Sequence, residues 1–171
     1  MAARFAHGYD SELSRQSPVF EPVNLQTIVG EVQAEFELLI EQKAARLLYQ
    51  DLPTLDAIPL QMTQLFSNLI SNALKYIHPD KAPLITITAG IENGQVHIEV
   101  RDNGIGFDQQ YADRIFSIFQ RLHRKTEYSG TGIGLAMCRR IAQNHQGAIY
   151  ATSEPGQGST FHVVLPVHQP H

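Results

Sequence analysis

The stretch IEVRDNGIGF, residues 98–107, ends an alternating apolar strand on Asp102 and then places Gly104 and Gly106 one residue apart. Glycine permits backbone approaches and turns that no other residue accepts, so the spacing asks what lies so close to this chain. Just upstream, PLITITAGIENGQVHIEVRD gives two strands of period two around Asn93-Gly94, a strong short-range signal for a hairpin. The glycine pair therefore follows a hairpin strand and is not followed directly by a long helix. That context excludes a doubly wound dinucleotide-binding fold, which needs a strand, a glycine turn and a helix in immediate succession.

Working outward, the first 18 residues are polar and read as a linker remnant, and order is expected from Val19. VFEPVNL is a short extended approach. Asn24 can cap a helix whose apolar positions Leu25, Ile28, Val29, Val32, Phe36, Leu39 and Ile40 follow a 3.6-residue period despite Gly30. ARLLYQ suits one strand, and LPTLDAIP is expected as a turn-rich joint. Pro59 then opens a helix running to about Ile77, with its stripe at Met62, Leu65, Phe66, Leu69, Ile70, Ala73, Leu74 and Ile77.

Residues 103–130 form a long connection whose only helical pattern is ADRIFSIFQRL, and connections of that length are usually functional. A third helix is expected over residues 131–144, ended by Gly147 in a left-handed cap, and AIYATS and STFHVVLPV close the chain as strands. The sum is an α/β two-layer sandwich: a mixed, mainly antiparallel sheet with three helices on one face and one long loop.

At 171 residues the chain suits one domain with its own core. Thirteen Lys and Arg against seventeen Asp and Glu give a formal charge of −4, which supplies no long-range attraction to nucleic acid or to an anionic membrane surface. Cys138 is the only cysteine, which excludes an internal disulfide and fits a reducing, cytoplasmic setting. No stretch approaches the roughly 20 apolar residues of a membrane span, and the opening residues lack a signal-peptide core. This domain is expected to touch no membrane directly, whether the full-length protein is soluble or membrane-attached. The histidines show no metal-ligand spacing.

Three groups of polar residues are poorly explained by packing. In NLISNALKY, Asn68, Asn72, Lys75 and Tyr76 share the helix side away from the apolar stripe. Asn is unfavourable in mid-helix, so two of them one turn apart are either a solvated face or a pair of amide oxygens suited to Mg²⁺, with Lys75 a point charge for phosphates. In SGTGIGLAMCRR, Gly130, Gly132 and Gly134 stand at the mouth of a helix, where exposed N–H groups and the helix dipole favour phosphate. Asp102 can cap a turn or accept a hydrogen bond from an exocyclic amine such as that of adenine.

These motifs in this order resemble the ATP-binding catalytic domain of bacterial two-component sensor histidine kinases, in the superfamily shared with DNA gyrase, Hsp90 and MutL. The N box is matched by Asn68, Asn72, Lys75 and Tyr76, and the G1 box by Asp102, Gly104 and Gly106. Phe116 and Phe119 match the F box, and Gly130, Gly132 and Gly134 the G2 box. EPGQGSTFHVVLP resembles the closing glycine motif and last strand. The resemblance covers about residues 20–167, giving a catalytic domain over 19–167 and a tail over 168–171. FQRLHRKTEYSGTGIGLAMCRRIA resembles phytochrome-like and related soluble-sensor kinases most closely.

The resemblance implies ATP and Mg²⁺ as ligands. Asn72 would be the principal metal ligand, with Asn68 supporting metal and triphosphate, Lys75 on phosphate and Tyr76 against the nucleotide. Asp102 would read adenine directly and through water, while Gly104 and Gly106 let the chain pass beside the base. Residues 107–129 would be the ATP lid, anchored by Phe116 and Phe119 and made cationic by Arg121, His123, Arg124 and Lys125, with Arg121 reaching the β or γ phosphate. Gly130, Thr131, Gly132, Gly134 and Leu135 at the helix mouth, and Thr160 on the last strand, complete the expected nucleotide contacts. Asn68, Asn72, Lys75 and Arg121 would carry catalysis.

In the superfamily's hydrolases a Glu one turn before the metal-binding Asn activates water. Here that position is Asn68, and an amide cannot act as a general base. The resemblance therefore implies transfer of the γ-phosphate to a histidine. The acceptor would sit on a dimerisation hairpin absent from this stretch, because His7 is followed by Gly8, not by an acidic residue. A response regulator would follow in the pathway. A superfamily ATPase, an anti-sigma-type serine kinase and a noncatalytic binding module are the other classes compatible with the fold.

Overall fold

A computed structural model of the chain describes residues 19–117 and 133–170. Strand β1 (Glu21–Asn24) leads into helix α1 (Leu25–Glu35), where the Asn24 side-chain oxygen accepts the amides of Gln26 and Thr27 at 2.8 and 3.3 Å. That satisfies two of the donors a helix start leaves open.

Where one helix was expected through Ile40, the chain breaks at Phe36 and resumes as helix α2 (Glu37–Gln42). Phe36, Leu39 and Ile40 pack against the core while Leu38 faces solvent. The expected turn-rich joint also needs correction. After β2 (Arg46–Tyr49), residues Thr54–Ala57 form strand β3, paired antiparallel with β1 in a small second sheet.

Helix α3 (Pro59–Lys75) starts with proline at its first turn and buries Met62, Leu65, Phe66, Leu69, Ile70, Ala73 and Leu74 on one stripe. It ends two residues before Ile77, with Tyr76 as its cap. Strands β4 (Leu84–Glu92) and β5 (Gln95–Asp102) form the expected hairpin. Asn93 and Gly94 have φ of 53° and 75°, the paired left-handed geometry that matches strand twist.

Helix α4 (Ile133–Asn144) and strands β6 (Ala148–Glu154) and β7 (Gly158–Pro166) complete the unit. The left-handed residue after α4 is Gln146 (φ 62°), not Gly147. Gly147 is required instead by crowding, since a Cβ there would stand 2.1 Å from the Val164 carbonyl oxygen.

The main sheet runs β2-β4-β5-β7-β6, with β2 parallel to β4 and every other pair antiparallel. Val96, Ile98, Val100, Phe161, Val163 and Leu165 point from it into the core shared with α1, α3 and α4. Each such side chain contributes about 1.5–3 kcal/mol by leaving water. The architecture is the expected two-layer sandwich, with four described helices because the first is split.

The chain beyond β7 stays on this body. Gln169 is buried, donating to the His145 carbonyl at 2.6 Å, and its amide reaches Asp56 at 3.2 Å. Among the described residues no helix is long and apolar enough to cross a membrane.

Candidate functional site

The site is built where β5 ends beside the last turn of α3. Asp102 pairs with Ile85 of β4 on one side and Ser159 of β7 on the other. Strand alternation points its carboxylate to the face that carries Val100 and Ile98. The carboxylate accepts the Gly104 amide at 2.9 Å and the Ser159 amide. Those donors favour the anion, but burial outweighs them and pushes the carboxyl up from 3.8 to about 6. At neutral pH Asp102 is thus a desolvated, acceptor-only group.

What approaches the glycines is backbone. A Cβ at Gly104 would stand 2.2 Å from the Tyr76 carbonyl oxygen, and one at Gly106 (φ +66°) would stand 2.2 Å from that of Glu154. Ile105 donates to the Tyr76 carbonyl at 3.0 Å and accepts the Gly156 amide at 2.7 Å. The turn after Asp102 is therefore clamped between the end of α3 and the β6–β7 turn. This clamp joins the Asp102 end of the sheet to the polar edge of α3.

On that edge Asn68 and Asn72 are half-buried one turn apart, and Lys75 is exposed at the helix end. Asn68 lies under the start of α4, 3.7 Å from where a Gly134 Cβ would be. It also hydrogen-bonds Cys138, whose thiol burial pushes up to about 12. That thiol is an inert packing group. Among the described residues no atom forces glycine at position 134, because 3.7 Å is an ordinary contact. Leu135 packs half-buried against the core.

Phe116 is buried edge-on to Phe161 with ring centroids 6.0 Å apart, beneath the Arg139 guanidinium at 5.0 Å from the ring centre. Ahead of it, the Gln109 side chain bonds the Ala151 carbonyl at 3.1 Å and the Ser153 amide at 2.8 Å, fastening the loop to the edge strand β6. Phe119, Arg121, His123, Arg124, Lys125, Gly130, Thr131 and Gly132 lie outside the described residues. So do residues 1–18 and His171.

A profile of the family described as Histidine kinase-, DNA gyrase B-, and HSP90-like ATPase matches residues 57–169. The chain belongs to this family. The ATPase-family domain is 42% identical over 144 residues to Phytochrome-like protein Cph1 of Synechocystis sp., covering 84% of this chain and 19% of that protein. It is 37% identical over 163 residues to the adaptive-response sensory kinase SasA of Synechococcus elongatus, covering 95% of this chain and 41% of that protein.

It therefore spans between about a fifth and two-fifths of the length of these relatives. Among solved structures, the nucleotide-free catalytic domain of histidine kinase ThkA is 25% identical with a TM-score of 0.72, covering 87% of this chain and 96% of that one. Full-length ShkA in complex with AMPPNP is 26% identical with a TM-score of 0.76, covering 88% and 32% respectively. The domain is thus closely related to the catalytic domains of bacterial sensor histidine kinases.

Within this ATPase-family domain the fold gathers Asp102, Gly104, Gly106 and Tyr76 at one junction, with Asn68 and Asn72 along the adjoining helix and Gly134 facing Asn68. Thr160 pairs with Arg101, one position from the Asp102–Ser159 pair, so strand alternation sets its side chain on the sheet face opposite the Asp102 carboxylate, and it lines a pocket with Thr86, Arg101, Asp102 and Gln157. Two residues were missed by sequence reading. Ser159 lies beside the Asp102 carboxylate, and Ser153 hydrogen-bonds both Ser159 (2.8 Å) and the Phe107 amide (2.8 Å). Their only signal was position within ordinary strand patterns.

Proposed function

We propose that this domain binds Mg-ATP at the junction of β5 and α3 and donates the γ-phosphate to a histidine on a dimerisation hairpin carried by another part of the full protein. The observation that carries this reading is Asp102, a desolvated acceptor held by two backbone amides beside the Asn68–Asn72 edge. Its free lone pairs suit the exocyclic amine of adenine, which can only donate there.

The neutral amide oxygens of Asn72 and Asn68 fit a hard Mg²⁺ ion that keeps waters and phosphate oxygens as its other ligands. Bound Mg²⁺ supplies neutralisation of charge on the phosphates. Lys75 adds a positive point charge at the same helix end, and Arg121 and Lys125 of the lid add more. Among the described residues nothing packs so close to Gly134 that it must lack a side chain, which supports close backbone approach to phosphate at the α4 start together with Gly130, Thr131 and Gly132. Phe116, locked in the core, anchors the lid.

In the transfer step the acceptor imidazole nitrogen forms the bond to the γ-phosphorus as the bond to the bridging oxygen breaks, leaving ADP. The chain's own residues orient and neutralise, with no general base required at position 68. A response regulator is the proposed next acceptor.

The test is to incubate the chain with γ-labelled ATP and a separately produced hairpin domain. Label on the hairpin that acid removes and base does not supports phosphohistidine. Acid-stable label points to serine, and appreciable release of phosphate without a hairpin points to an ATPase.

A further inference from the structure

We infer that the outer face of the sheet carries a transition-metal site, formed by His97 and Glu99 of β5 and His162 of β7, that takes a borderline divalent cation such as Zn²⁺. This proposal is independent of the nucleotide reading. The alternation that buries Val96, Ile98 and Val100 turns His97 and Glu99 to the face away from the helices. The register places Glu99 directly opposite His162. One ligand atom from each of the three residues lies within 4.8 Å of the others.

The spacing is that of a coordination pair. His97 Nε2 and His162 Nδ1 are 3.4 Å apart. Two imidazole nitrogens on one tetrahedral zinc, each about 2.0–2.1 Å from the metal, stand about 3.3–3.4 Å from each other. The His162 ring is also held from behind. His162 Nε2 lies 3.0 Å from Thr152 Oγ1, and its ring stacks on Tyr150 with centroids 4.4 Å apart and planes 3° from parallel.

Donation from Nε2–H to the Thr152 hydroxyl leaves the Nδ1 lone pair facing His97, the arrangement by which a supporting hydrogen bond sets a ligand's tautomer. Glu99 also pairs with Arg101 at 3.7 Å, but both are solvent-accessible and such pairs are weak. Two nitrogens and one carboxylate favour Zn²⁺, Ni²⁺ or Cu²⁺ over Mg²⁺ and leave a fourth position for water. The metal would tie β5 to β7 on the face opposite Asp102. Sequence spacing gave no sign of it, because register alone unites residues 97 and 162.

The experiment is calorimetric titration of Zn²⁺ into the 171-residue chain carrying His168→Ala and His171→Ala, which removes the two imidazoles near the end of the chain. One zinc per chain is expected. His97→Ala or His162→Ala in that background should weaken binding at least tenfold, and Thr152→Val, which touches no metal, about tenfold through loss of orientation. Co²⁺ in place of zinc should give the visible absorption of a four-coordinate ion. These positions face solvent, so circular dichroism should report unchanged folding. Unchanged zinc affinity in both histidine variants, or no saturable binding in the parent, would overturn the site. ATP binding by His97→Ala should match the parent, which separates this result from the nucleotide proposal.

Discussion

Asp102→Asn is expected to raise stability at neutral pH while weakening the hold on adenine nucleotide. Burial lifts the Asp102 carboxyl from 3.8 to about 6 in spite of the Gly104 and Ser159 amides. At about 1.4 kcal/mol per pKa unit, ionised Asp102 costs the fold about 3 kcal/mol. The folded state holds this proton to higher pH than the unfolded state. Its contribution is therefore fully present below 3.8 and is lost as pH rises through about 6.

Asn is the neutral isostere and keeps an oxygen for the Gly104 amide. Urea unfolding followed by far-ultraviolet circular dichroism should show parent and variant alike below pH 3.8, a gap opening between 3.8 and 6, and a plateau of up to about 3 kcal/mol above pH 7. With its oxygen turned to Gly104, the Asn side chain presents a second donor to the adenine amine, so ATP affinity should fall. A gap that is constant with pH, or a parent more stable than the variant at neutral pH, would refute the desolvation argument.

Two glycine substitutions should behave oppositely. Gly104→Ala drives a Cβ to 2.2 Å from a backbone oxygen and should destabilise by about 1–3 kcal/mol in the same urea assay. Gly134→Ala meets no described residue nearer than 3.7 Å and should be neutral or stabilising by up to about 1 kcal/mol, yet lose ATP affinity; unchanged affinity would remove Gly134 from the phosphate site.

His145 is fully buried, close to Ile141 O at 2.7 Å and accepting the Ile58 amide at 3.0 Å, and burial lowers its pKa from 6.5. Its stabilising effect is present above 6.5 and fades as pH falls. In an Asp102→Asn background, which removes the opposing trend, His145→Ala should flatten the acid limb of the stability profile. Asn68→Glu should raise ATP hydrolysis, measured as phosphate release, by supplying the missing base.

The hairpin at Asn93-Gly94, the Asn24 cap, the Pro59 helix start and the α3 stripe were legible because each depends on local chemistry and periodicity. The break at Phe36 was not, since the apolar period through Ile40 runs unbroken across a residue whose backbone (φ −98°, ψ 10°) leaves the helical range. Strand β3 was hidden by its flanking prolines, and its partner residues in β1 lie 30 to 36 positions upstream by register. At the site, Asp102 and the two asparagines were visible as residues that packing does not want. The reason for Gly104 and Gly106 was not visible, because it lies in the Tyr76 and Glu154 carbonyls brought there by the fold. The side of the sheet that Thr160 takes was not visible either, because strand parity relative to Asp102, set by the β5–β7 register, turns it to the other face.

The most direct test of the nucleotide site is an ATP titration of the chain followed by backbone amide NMR, with and without Mg²⁺. Saturable shifts centred on Asn72, Gly104 and Gly134, strengthened by Mg²⁺ and suppressed by Asp102→Ala, are the expected result. Absence of saturation at millimolar ATP, or shifts centred on His97 and His162 instead, would contradict it.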